Sequence, residues 1–156
     1  MKVFLDIDGV MIPANSWQRP EILSDGFPAF SLKAVRALQK ILSDTNADII
    51  LTSSHKWNYT LEQWLRIFRL REIAIQSISR LPENIERLGR REELLKWFDT
   101  CNRQDNFVII DDDKSLNALP PLLKSRLILT SGSIGLTDEL ADEAIGILNN
   151  KRASSA

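Results

Sequence analysis

Apolar residues along this chain fall into two kinds of run. Short unbroken runs come as Val3-Phe4-Leu5 with Ile7, Asp48-Ile49-Ile50-Leu51, Phe107-Val108-Ile109-Ile110 and Arg126-Leu127-Ile128-Leu129. Apolar without alternation, they predict strands covered on both faces, as in a parallel sheet. Between them the spacing turns helical. Ser31 predicts an N-cap for SLKAVRALQKIL, where Leu32, Val35, Leu38, Ile41 and Leu42 keep helical intervals. Thr60 and Gln63 form a capping box opening TLEQWLRIFRL. GRREELLKWF carries Leu94, Leu95 and Phe98 at core-like spacing, and Thr137 precedes acids in the first turn of DELADEAIGILNN. Ile73 to Ile78 predicts one more short strand. Residues 11–30, with three prolines and a glycine, predict a loop.

This strand-helix alternation argues for an α/β three-layer Rossmann-like sandwich with a mostly parallel central sheet. The length of 156 residues, 44% of them hydrophobic, suits one domain over residues 1–150 with a polar tail at 151–156. A formal charge of −1 exerts no global pull toward nucleic acid or anionic membrane. The single cysteine, Cys101, permits no intramolecular disulfide, and no zinc-ligand spacing exists. Nothing resembles a signal peptide, and no apolar stretch approaches the roughly 20 residues that span a bilayer. These features predict a soluble cytoplasmic protein with no membrane partner.

Ligands of such sheets bind beyond the carboxyl ends of the strands. Asp6 and Asp8 end the first strand, Thr52, Ser53 and Ser54 the second, and Asp111, Asp112 and Asp113 the third. Parallel strands would bring all of them to one edge. Carboxylates at that density repel one another and need a counter-charge. A hard divalent cation with oxygen ligands supplies it, with Mg²⁺ the first choice; Lys56, Lys114, Arg90 and Arg91 lie close in sequence. Each acid taken alone also fits a turn or helix cap. Three polar groups at three successive strand ends fit that reading poorly.

The order VFLDIDG at 3–9, IILTSS at 49–54, a basic helix start and VIIDD at 108–112 resembles the haloacid dehalogenase (HAD) superfamily of phosphohydrolases. More narrowly, TSSHK, REELLKWF, VIIDDD and GLTDE at 135–139 are similar to small HAD domains of RNA-repair proteins and to the phosphatase half of polynucleotide kinase-phosphatases. The resemblance implies that Asp6 is the nucleophile and forms an aspartyl-phosphate. It implies that Asp8 protonates the leaving group and then activates water, while its backbone carbonyl joins the metal shell. Asp6, Asp111 and Asp112 would hold Mg²⁺, and Thr52, with Ser53 and Lys56 nearby, would bind the phosphoryl group. The third motif needs a cation, and Arg90 and Arg91 both stand in the right place. His55, the only histidine, reads as a solvated or substrate-contacting loop residue.

Only residues 9–30 and 55–89 separate the motifs, which leaves no room for a large cap domain. An open cleft admits phosphate on a large molecule. Between Arg66 and Lys96 eight basic residues face five acids. Trp17, Trp57 and Tyr59 lie in loops near the strand ends and offer stacking surfaces for an unpaired base; Trp64 and Trp97 read as core. The expected substrate is a phosphorylated nucleic-acid end, with a small-molecule phosphatase or nucleotidase as the alternative. Receiver-like signalling and catalytically silent binding domains are non-enzyme alternatives. A receiver has no need of the second acid in DxDG.

Overall fold

The structure, a computed structural model, describes residues 1–14, 19–100 and 105–150. Trp17, Cys101 and the tail 151–156 lie outside the described residues. Strands β1 (Lys2–Leu5), β2 (Asp48–Leu51), β3 (Ile78–Arg80), β4 (Phe107–Asp111) and β5 (Leu127–Leu129) form one sheet. Their spatial order is β3-β2-β1-β4-β5, and every pair is parallel.

Side chains alternate across this sheet and build two cores. Val3, Leu5, Ile49, Leu51, Val108 and Ile110 face one layer. There α1 (Leu32–Thr45), α2 (Leu61–Leu70) and α5 (Asp138–Asn149) bury residues such as Leu38, Trp64 and Ala144. Phe4, Ile50, Phe107 and Ile109 face the other layer, formed by α3 (Arg90–Thr100), a 3₁₀ turn at Lys114–Ala118 and α4 (Pro121–Lys124). The three-layer α/β sandwich read from the sequence is the fold, and no large cap interrupts it.

The helix starts follow the side-chain chemistry. Ser31 Oγ accepts from the Ala34 N–H at 3.1 Å. In the capping box, Thr60 Oγ1 accepts from the Gln63 N–H at 3.0 Å and Gln63 Oε1 accepts from the Thr60 N–H at 2.8 Å. Thr137 Oγ1 accepts from the Leu140 N–H. Each such cap contributes about 1 kcal/mol.

Two elements differ from the sequence expectation. The third strand is Ile78–Arg80, not Ile73–Ile78. Ile73 is buried instead beneath the end of α2, where its N–H bonds to the Phe68 carbonyl, so pairing with β2 starts only at Ile78. Leu32, at the first position of α1, points to solvent rather than to the core. No described helix is long and apolar enough to cross a membrane.

The loop after β1 is fastened by one side chain. The buried Arg71 guanidinium donates to both oxygens of Asp25 at 2.7 and 3.2 Å and to the carbonyls of Phe27, Pro28 and Ile67. It also lies over the Phe27 and Phe30 rings at 5.4 and 5.0 Å. The hydrogen bond from Arg71 holds the Asp25 carboxyl below its ordinary value. Arg71→Ala therefore leaves three carbonyls and a carboxylate without their donor. Denaturant unfolding should show a loss of about 3 kcal/mol. Arg71→Lys should recover little of it, because a point charge cannot replace the fork of N–H groups.

Candidate active site

Strand register brings the polar groups together. Leu5 pairs with Leu51 on one side and with Ile110 on the other. The next residue on each strand is Thr52, Asp6 and Asp111, so these three stand level, with about 4.8 Å between neighbouring strands. The ladder continues through them: the Thr52 N–H donates to the Leu5 carbonyl at 2.9 Å and the Asp6 N–H to the Ile110 carbonyl at 3.1 Å. The chain runs outward from β1 to β3 and then returns to the far side of β1 for β4. Asp6 and Asp111 thus flank the switch point where open α/β sheets hold ligands.

Asp112 joins them through glycine. Gly9 has φ +81°, and a Cβ on it would lie 2.0 Å from Asp112 Oδ2; a Cβ on Gly132 would lie 3.0 Å from the same atom. Only a residue without a side chain lets that carboxylate sit so close to the turn after Asp8. Thr130 Oγ1 donates to the Gly9 carbonyl at 2.8 Å and ties that turn to the end of β5. Oxygens of Asp6, Asp111 and Asp112 all come within 4.8 Å of one another.

Little water reaches two of the three: Asp6 is 5% and Asp111 0% exposed, while Asp112 is partly exposed. Burial first, and then the charge of Asp111, push the Asp6 carboxyl up to about 8 despite the opposing Arg90. Burial also raises Asp111, again against the pull of Arg90. Arg90 opens α3, where its Nη1 bonds to Asp111 and lies 3.4 Å from Asp6. Burial disfavours its charge, yet Asp111 and Asp6 hold it above its ordinary value. Behind it the buried Glu93 takes the Lys56 ammonium at 2.7 Å and faces Arg90 Nε at 3.8 Å. Three carboxylates of hard oxygen donors, one kept protonated at neutral pH chiefly by its burial, fit a hard divalent cation.

The remaining residues divide plainly. Thr52 is fully buried, and among the described residues its Oγ1 has no hydrogen-bond partner. Ser53 Oγ accepts from the His55 N–H within its own turn, and the Lys56 ammonium is engaged by Glu93. The Asp8 carboxylate stands outside the acid cluster, 60% exposed, with Oδ2 2.8 Å from His55 Nε2. The Asn58 amide nitrogen lies 3.3 Å from His55 Nδ1. Arg90 reaches the acids, whereas Arg91 pairs with Glu92. Asp113 caps the 3₁₀ turn by accepting from the Ser115 N–H.

Sequence reasoning passed over two members. Glu93 reads as one more helix-surface acid, although its place three residues after Arg90 puts it on the same face. His55 reads as loop, although it lies three residues beyond Thr52 on the turn that borders Asp8. Tyr59 is partly buried, its ring packed edge-on against Phe27 and Trp64 at centroid distances of 5.7 and 5.3 Å.

The family described as the HAD domain in Swiss Army Knife RNA repair proteins matches residues 2–141. The chain belongs to this family. Neither curated proteins nor solved structures give a match. Membership in the HAD family makes phosphatase-type hydrolysis the general activity of the domain and metal use its usual condition. Asp6, Asp111 and Asp112 could hold such an ion.

The raised Asp6 carboxyl gives the metal-free protein a definite pH dependence. Its ordinary value is 3.8 and its folded value about 8, so between those limits the native state keeps a proton that the unfolded chain has lost. Stability from this group is complete below the lower value and is lost as pH rises through the upper one. A bound divalent ion must displace that proton. Calorimetric titration with Mg²⁺ at pH 7, in two buffers of different ionisation enthalpy, should show close to one proton released and affinity rising toward pH 8. Binding that releases no proton and ignores pH would contradict this electrostatic picture.

Proposed function

We propose that this domain is a Mg²⁺-dependent phosphohydrolase that removes phosphate from a nucleic-acid 3′ end through an aspartyl-phosphate on Asp6. The observation that carries the reading is the level placement of Asp6 between Asp111 and the partnerless, buried Thr52 hydroxyl. A nucleophile, a cation site and a phosphate donor then occupy one edge of three adjacent strands.

In the first half-reaction an Asp6 oxygen bonds to phosphorus and the bond to the substrate oxygen breaks. Asp8 gives its proton to that leaving oxygen. In the second, Asp8 takes a proton from water, whose oxygen attacks phosphorus and releases inorganic phosphate and free Asp6. The exposure of Asp8 suits this role, since it must exchange protons with solvent, while the burial of Asp6 shields its acyl phosphate from random hydrolysis. Thr52 Oγ1 donates to a phosphoryl oxygen, and Arg90 balances charge on the transferring group. Asp6, Asp111 and Asp112 would hold Mg²⁺, which would supply the positive charge that lets two anions approach each other. The RNA-repair description of the family and the uncapped edge of the sheet support a polymer end over a small metabolite.

Phosphate release from 3′- and 5′-phosphorylated oligonucleotides tests the reading. Asp6→Asn should lower turnover at least a thousandfold, and Asp8→Asn by roughly 10²- to 10⁴-fold, with both variants folded by circular dichroism. Wild-type turnover in Asp6→Asn would remove the nucleophile. Equal rates on 3′ and 5′ phosphates would remove the end preference.

A further inference from the structure

We propose that Trp57 and Arg80 form a stacking platform for the nucleobase next to the hydrolysed phosphate, so that the site selects ends carrying an unpaired base. The inference rests on the phosphohydrolase reading above and names the part of the substrate that gives it affinity.

The platform is continuous with the site. Trp57 directly follows Lys56 and stands two residues after His55, which touches Asp8. Its indole N–H donates to the Leu81 carbonyl at 3.0 Å. The Leu81 N–H in turn bonds to the Leu51 carbonyl, which places Leu81 opposite Thr52 on the neighbouring strand. One strand spacing, about 4.8 Å, therefore separates the anchor of the indole from the residue assigned to the phosphate.

The ring is also held rigid and kept open. The Arg80 guanidinium lies 3.7 Å from the Trp57 ring centroid. Arg80 is itself pinned, donating to the carbonyls of Lys56 at 2.9 Å and Tyr59 at 2.6 Å. With one face covered and its N–H bonded, Trp57 still remains 45% exposed, so its other face meets solvent. Trp64 and Trp97, by contrast, are buried in the two cores. Packing does not account for an indole held by its N–H and by Arg80 and left bare directly after Lys56. A base does, since every base offers a π face to an aromatic ring, and the cation behind the ring suits an anionic strand. A base locked in a duplex cannot lie down on it.

Two short oligonucleotides with a 3′-terminal phosphate, identical except that one lacks the terminal base, decide the matter. For the wild-type protein kcat/KM should favour the base-bearing substrate about tenfold, the scale of one base–aromatic stack. Trp57→Ala should reduce that preference to about one, and Trp57→Phe should keep most of it. A wild-type preference of one, which needs no variant to measure, overturns the platform and leaves the phosphohydrolase reading intact. So does a Trp57→Ala protein that retains the full preference. Hydrolysis of neither substrate strikes the phosphohydrolase reading and takes the platform with it.

Discussion

Repulsion among carboxylates that water barely reaches is the constraint to which the rest of this structure answers. Three parallel strands in one register deliver Asp6, Thr52 and Asp111 to the same height, and a glycine turn admits Asp112 beside them. Among the described residues, the cations paired with Asp6, Asp111 and Glu93 are Arg90 and Lys56, with Asp112 beside them. Two negative charges stay unbalanced in that group, the charge one divalent cation matches. Burial keeps a proton on Asp6 at neutral pH, and Arg90 bonds to Asp111. Burying the acids costs stability that the two apolar cores must offset, a common arrangement where chemistry rather than packing dictates the residue.

The same constraint separates two aspartates that are only two residues apart. Asp6 is enclosed by its strand neighbours, whereas Asp8 lies beyond the sheet edge, in solvent and against His55. In the proposed mechanism these different surroundings give one residue type two roles, an enclosed oxygen for phosphorus and an exposed one for protons. The fold contributes the division, because a strand ends between them and the chain must turn at Gly9.

The architecture was legible in the sequence because buried parallel strands leave unbroken apolar runs and helix starts leave capping side chains. Ser31, the Thr60–Gln63 box and Thr137 each stand where their chemistry indicates. The edge strand was not. Ile73 and Ile75 are as apolar as a strand demands, but tertiary packing uses Ile73 under α2 and pairing begins later. Within the site, strand-end acids were readable from position alone. The choice between Arg90 and Arg91 was not, since it turns on which way the first turn of α3 faces. The ties from Glu93 to Lys56 and from His55 to Asp8 join distant segments, and local pattern carries no trace of them.

The direct test of a cation site built by strand register is an anomalous-diffraction map from crystals grown with Mn²⁺ in place of Mg²⁺. The account predicts one strong peak between Asp6, Asp111 and Asp112, at about 2.0 to 2.2 Å from their oxygens, with the Arg90 guanidinium drawn back from Asp111. A map with no peak there, and with Arg90 still seated on Asp111 at saturating Mn²⁺, would contradict it.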